Sequence, residues 1–437
     1  MKRRAALLLV TTIAVAQAAA QPVVLTTEQD HRRSLDLLGI GQLREGANGS
    51  DASAPNAANY DEARANPYPT LPDVLLTGGR KRVTTADEWW QLRRPELVEL
   101  FDREVYGRMP ATLPALRWEV AEVTDVTIAG QAALRKVLLG RVDNSSYPDI
   151  SVELRAILIV PATTRGPAPV ITQLITGTFI PRYEERAQQP DSWQAQALRR
   201  GWAYAYLDTA TIQADEGAGL TRGIIGLAHK GQARDADDWG VLRAWAWGAS
   251  RLLDYYESDP ALDATRNAIE GHSRWGKAAL VAMAYDPRIS VGYISSSGAG
   301  GAKLHRRNWG ELVENVAAPS EYHWMSVNYM KYAGPLSWDD LPLDAHSLIA
   351  LAAPRPVFIS SGLGGDEWVD PRGMFQAAAA ASAVYELLGA KGLGTTDFPA
   401  VESGVMDGAL AFRQHSGGHS DQPNWPLFLD YAARYWQ

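Results

Sequence analysis

From Leu116 to Thr176 apolar residues crowd into short β-rich stretches parted by turns: Leu116 to Val126, Ala132 to Leu139, Ile150 to Val160 and Pro169 to Thr176. Upstream, TADEWWQLRRPELVELFDREVYG from Thr85 spaces Trp89, Leu92, Leu97, Leu100, Phe101 and Val105 as a helix would. Pro95 should open a second helical piece there, because a proline inside a helix removes a hydrogen bond and clashes with the preceding turn. Downstream the pattern alternates between strand and helix. The strand WAYAYLD (Trp202 to Asp208) precedes a Trp-rich helix from about Asp237 to Tyr256, and NAIEG leads into a helix ending near Tyr285. VGYISSS, RPVFISS (Arg355 to Ser361) and ALAFRQH (Ala409 to His415) are further strands, with helices expected over Pro371 to Leu388 and from about Trp425. Strands followed by repeated β-α units predict an α/β fold, a three-layer α/β/α sandwich around a mostly parallel sheet. No internal repeat is visible, which argues against solenoids and propellers.

The front of the chain behaves differently. Lys2, Arg3 and Arg4, the apolar run Ala5 to Val15 and the small residues to Ala20 read as a secretory signal over residues 1–20. Residues 21–80, rich in Ala, Asn, Asp and Pro, are expected to form an extended arm, partly disordered at its start, before a single catalytic domain over 81–437. Removing the signal shifts the formal charge from −8 to −11. An acidic chain with no basic block is a poor ligand for nucleic acid, and no stretch beyond the signal is apolar enough to span a membrane. The protein is expected to be exported, periplasmic or secreted, and monomeric. With no cysteine, thiol catalysis and Cys-ligated metals are excluded, and a core of this size needs no disulfides. The 15 tryptophans suit both a large core and the covering of sugar faces.

The chemistry centres on EGHSRWGKAAL, Glu270 to Leu280. Ser273 falls between an apolar strand and a helix, at the carboxyl end of a strand where open α/β sheets collect their ligands. That is the place of a nucleophile elbow, with Gly271 and Gly276 as the small residues of the turn, although the usual G-x-S-x-G spacing is not met. Arg274 brings a permanent positive charge next to the serine, and Lys277 lies one helical turn on. A serine hydrolase of this kind orders its triad Ser, acid, His. Of the eight histidines, His415 and His419 in QHSGGHSDQPNW stand near the last strand; two glycines precede His419, which is favoured as the base with His415 in reserve. His346 precedes the acid strand and reads as a packed residue, and the turn should direct His272 away from the nucleophile. In GLGGDEWVDPRG the acid is Asp366, Glu367 or Asp370, the first standing directly after the glycines and the last able to cap a helix instead.

The motif GHSRWGK resembles the G-C-S-R-x-G-K signature of glucuronoyl esterases, carbohydrate esterase family 15, with His272 in place of the usual cysteine. The resemblance extends through LPDVLLTGG, SSSGAGGAKLHRRNWGELVEN, EYHWMSVNYMKYAG, APRPVFISSGLGGDEWVDPRG and SGGHS, in that order. It implies an α/β-hydrolase that cleaves the ester between (4-O-methyl-)glucuronic acid of glucuronoxylan and an alcohol of lignin, with a serine triad and no metal or cofactor. By motif, Ser273 would be the nucleophile, Arg274 the oxyanion-stabilising neighbour and His419 the base. Lys277, Glu311 and Trp324 would hold the uronic acid. Fungal members carry the acid as a Glu just before SGAGG, where this chain has Ser296, so the resemblance favours Asp366, as in some bacterial members. The rival readings are another carboxylesterase on the same fold, such as an acetyl xylan esterase, and a non-catalytic periplasmic carbohydrate-binding protein.

Overall fold

In the computed structural model, which describes residues 21–436 apart from 69 and 165, ten strands form one sheet in the order β1-β2-β3-β5-β4-β6-β7-β8-β10-β9. The strands are β1 (Leu116–Ile128), β2 (Gln131–Val142), β3 (Glu153–Pro161), β4 (Ala168–Ile175), β5 (Ala203–Asp208), β6 (Leu262–His272), β7 (Val291–Ser295), β8 (Val357–Ser361), β9 (Gly404–Val405) and β10 (Leu410–Gln414). β1, β2, β3 and β5 pair antiparallel. From β5 through β4, β6, β7 and β8 to β10 the pairing is parallel, and short β9 closes the edge antiparallel. The residues read as the signal, 1–20, lie outside those described.

Alternation along the strands feeds two cores. In β3, Ala156, Leu158 and Val160 join one face while Ile157 and Ile159 join the other, as the two-residue period of a strand requires. The helices Val241–Ser258, Arg274–Tyr285, Ala345–Ala352 and Pro371–Leu387 cover the first face. Trp193–Arg199 and Trp425–Ala433 cover the second, where the Trp193 and Trp425 rings stack at 3.9 Å. The result is the expected three-layer sandwich, an α/β-hydrolase fold. Nine of the 15 tryptophans are buried in it, with Trp89, Trp193, Trp239, Trp245 and Trp425 fully so.

Pro95 has a local consequence. The chain passes from a helical turn at Ala86–Glu88 through a π-helical stretch at Trp89–Arg93 into the helix Arg94–Glu104. The Arg94 N–H bonds back to the Trp89 carbonyl, five residues away, and this wider turn sits where the proline ring and its missing N–H would disrupt an ordinary one.

The segment expected to be an extended arm contains a helix, Thr27–Leu37, with a capping box between Thr26 and Gln29. Its buried face is polar: Asp30, His31 and Ser34 are covered together with Leu35. His31 Nε2 meets the Ala317 carbonyl at 3.0 Å, and Tyr322 donates its hydroxyl to Asp30 at 2.9 Å. Further along, Arg44 pairs with Glu314, Asn315 exchanges two hydrogen bonds with the Ala47 backbone, and Glu62 pairs with Arg307. The segment is thus fastened along residues 307–322.

Candidate active site

Because β6, β8 and β10 run parallel, the turns that follow them emerge on one edge of the sheet, and these carry Ser273, Asp366 and His419. Ser273 caps the helix Arg274–Tyr285 with φ 60° and ψ −128°, a left-handed conformation that a residue with a Cβ adopts only under strain, at a cost of about 1–3 kcal/mol. Two bonds hold it there. Its N–H donates to the Ser295 carbonyl at 2.9 Å, and its own carbonyl accepts from the Lys277 N–H. The turn is tight enough to require Gly271, since a Cβ at that position would stand 2.1 Å from the Trp275 carbonyl oxygen. The helix start leaves first-turn amides without helical acceptors, next to the serine hydroxyl.

Ser273, Arg274 and His419 line one cavity of about 670 Å³. Behind His419, at 2.6 Å from its Nδ1, lies Oδ1 of Asp366, a fully buried carboxylate. Its other oxygen accepts from the Ser296 hydroxyl and from the Gly362 N–H, both at 2.7 Å. The carboxylate is fixed on both oxygens, which directs the Nδ1 proton of His419 toward Asp366 and leaves Nε2 for a substrate-side proton.

Neither competing acid is bonded to His419. Asp370 takes the Arg307 guanidinium at 2.8 and 2.9 Å and caps the helix Pro371–Leu387. Glu367 sits in the following turn, its backbone carbonyl accepting from Trp309. His415 is buried, with Nε2 on the Ser420 carbonyl and Nδ1 accepting from the Gly417 N–H; it braces the loop that carries His419. His346 bonds the Pro72 carbonyl in the interior.

One expectation fails. His272 is not directed away: it lines the same cavity, and its ring lies 4.2 Å from that of His419. The reason is that β6 continues through residue 272, so the ring stands at the strand end, with Nδ1 against the Ser295 hydroxyl at 3.1 Å. Burial, opposed by the Asp421 charge and reinforced by His419, lowers the His272 pKa to about 4, so the ring beside His419 is neutral at neutral pH.

Lys277, Glu311 and Trp324 form a second cluster next to the elbow. Lys277 Nζ donates to Glu311 at 3.0 Å and to the Ala299 carbonyl at 2.6 Å, and it lies 5.4 Å from the centre of the Trp324 ring. Glu311 therefore pairs with Lys277, not with Arg306 or Arg307, whose partners are Asp344 and Asp370 with Glu62. Gly298, at φ +56°, gives the carboxylate room, for a Cβ there would lie 2.3 Å from it. The Trp324 ring is covered by Arg274 at 5.2 Å and donates through Nε1 to Asp215 at 2.6 Å, so it is a buried support rather than an open platform.

Asp215, which the sequence pattern does not single out, ties the two clusters together. It accepts from Arg274 at 2.6 Å, from Trp324 and from His323. Burial alone would raise its carboxyl, but the hydrogen bonds from His323 and Trp324 and the Arg274 charge outweigh that and hold it at about 2. Glu321 is the other unanticipated group. Burial, then the charge of Glu311, push it up to about 7 against the opposing pull of Lys277 and Arg274, and its Oε2 has no hydrogen-bond partner. A carboxyl of that kind, beside a Lys-Glu pair, offers both a donor and an acceptor to a hydroxylated ligand. Both residues lie in loops whose partners are distant in sequence.

Residues 222–389 match the sequence pattern of fungal glucuronyl esterases. The fold resembles that of a CE15 glucuronoyl esterase from Teredinibacter turnerae, with a TM-score of 0.89 and 42% identity across 94% of this chain and all of that one. A glucuronoyl esterase from Solibacter usitatus follows at TM-score 0.77 and 35% identity, spanning 86% of this chain and all of that one. In sequence, the chain is 30% identical to carbohydrate esterase MZ0003, from an unknown prokaryotic organism, over 412 residues that make up 87% of this chain and 93% of the relative. An elbow serine, an aspartate-bound imidazole and a likeness that runs nearly end to end place this chain in carbohydrate esterase family 15, the glucuronoyl esterases, which are carboxylic ester hydrolases.

Proposed function

We propose that the protein hydrolyses the ester linking (4-O-methyl-)glucuronic acid of glucuronoxylan to lignin alcohols, by two acyl transfers through Ser273. His419 takes the Ser273 proton as the oxygen attacks the C6 carbonyl, and Asp366 holds the imidazole and balances its charge. The Arg274 backbone N–H and side chain stabilise the oxyanion. The alcohol leaves with the proton from His419, and water then releases the acid by the reverse path. Lys277, Glu311 and Trp324, with Glu321 added, hold the uronic acid. The observation that carries the reading is the Asp366–His419 bond of 2.6 Å over a cavity shared with the strained Ser273.

Export as a monomer, and a catalytic domain over 81–437 with residues 21–80 folded along it, complete the proposal. No described helix is long and apolar enough to cross a membrane. Hydrolysis of benzyl D-glucuronate, compared with release of acetate from acetylated xylan, tests the substrate. Turnover of the uronate ester with little deacetylation is expected, and the reverse preference would overturn the assignment. Labelling of Ser273 by a fluorophosphonate, expected in the active protein, separates an esterase from a sugar-binding protein.

A further inference from the structure

The cavity that holds Ser273 extends away from the Lys277 cluster. Neither Lys277, Glu311 nor Trp324 lines it; its outer wall is instead the helix Ile180–Ala187 and the turn before it, with Phe179, Arg182, Tyr183 and Arg186. Two features of this wall go unused by the protein itself. Phe179 is 45% exposed and packs edge-on against Trp275, which is anchored through Nε1 to Thr209. Arg182 and Arg186 stand one helical turn apart, and neither guanidinium has a hydrogen-bond or ion-pair partner among the described residues. Of the carboxylates nearby, Glu184 is taken by Arg135 and Asp215 by Arg274, while Glu185 on the same helix forms no ion pair with either arginine.

Two free cations at the mouth of a reactive cavity are unusual in a chain of formal charge −8, whose overall field repels anions. Resting on the glucuronoyl esterase reading, which puts the alcohol half of the ester in this cavity, we infer that the Arg182–Arg186 pair selects alcohols that carry an anionic group such as a carboxylate. An aryl ring in that alcohol would lie on Phe179 and Trp275, and the anion would reach the Arg182–Arg186 pair, whose forked donors suit a carboxylate. Chemistry at the ester is unchanged: the acyl C–O bond breaks, the alcohol oxygen takes the proton from His419, and the remote carboxylate keeps its charge throughout. As the pair is solvent-exposed, its effect is modest and salt-sensitive.

The experiment compares kcat/KM for 4-carboxybenzyl D-glucuronate and benzyl D-glucuronate, using the ratio so that intrinsic ester reactivity cancels between variants. At low ionic strength the R182A/R186A double variant should lower this ratio by roughly threefold to tenfold, and R182E/R186E should lower it further. For the unaltered protein, the ratio should fall as sodium chloride is raised to about 0.5 M, where the screening length drops to a few ångströms. F179A should lower kcat/KM for both esters together. A ratio unmoved by either arginine variant, or insensitive to salt, overturns the selection while leaving the esterase reading intact. Failure of the unaltered protein to cleave either ester would instead bring down the esterase reading, and the selection with it.

Discussion

Replacing Asp366 with Asn keeps shape and volume but removes the charge opposite His419. In the native site one carboxylate oxygen takes the His419 Nδ1 proton at 2.6 Å, and the other takes two donors, from Ser296 and Gly362. An amide has one acceptor oxygen and one donor nitrogen, so it cannot serve all three. If the oxygen stays with Ser296 and Gly362, the NH2 group faces Nδ1, which must then accept, and the ring proton moves to Nε2, where it blocks the base. If the amide flips, the NH2 group confronts two donors in a fully buried position. Either way the imidazolium formed during attack loses its counter-charge. A loss of roughly 10³ to 10⁴ in kcat is expected, equal to about 4–5.5 kcal/mol of transition-state stabilisation. Initial rates on benzyl D-glucuronate provide the assay, with circular dichroism to show that the variant is folded. A folded D366N variant within tenfold of the native kcat would refute the assignment of Asp366 as the triad acid.

Three further outcomes are expected. S273A should lower kcat by about 10⁵ or more while still binding substrate, as seen by comparing single turnovers with equilibrium binding of the product acid. K277M strands the buried Glu311 carboxylate and should cost about 3–5 kcal/mol of stability by chemical denaturation, much of it recovered in K277M/E311Q, whereas both variants should show raised KM. Because burial holds the Glu321 carboxyl at about 7, above its ordinary 4.5, the folded protein binds the extra proton between those values. The stabilising effect is therefore complete below pH 4.5 and is lost as pH rises through 7, so the melting temperature should fall more steeply over that window in the native protein than in E321Q.

What the sequence could reveal depended on whether the relevant partner was near in the chain. The parallel strands declare themselves because both faces are buried, leaving continuous apolar runs such as Val291 to Ile294 and Ala203 to Leu207. The chain order of serine, acid and histidine was readable because each follows its own strand, but the pattern left Asp366, Glu367 and Asp370 open, and it is the bond to His419 that singles out Asp366. The helix Thr27–Leu37 was not. Its buried face is made of Asp30, His31 and Ser34, and its partners lie almost 300 residues away at Ala317 and Tyr322. Asp215 and Glu321 escaped for the same reason, since their importance lies in the charges that converge on them from other loops. His272 escapes the sequence pattern because β6 runs one residue beyond NAIEG, and one residue along a strand reverses which way a side chain faces.

The fastening of residues 30–62 along 307–322 bears on how the enzyme could be re-engineered. Ser273 and His419 follow strands of the sheet, and the front of the chain reaches the Asp366 loop through Glu62, Arg307 and Asp370, whereas Glu311 and Glu321 sit on a loop gripped by it more widely, at Ala317, Glu314, Asn315 and Arg307. A version that began at residue 81 would keep Ser273 in place while the residues proposed to hold the sugar lost their moorings. Such a truncate should decay into a slow, indiscriminate hydrolase of small activated esters, and the part of the chain that looks most dispensable would prove to be the one that confers discernment.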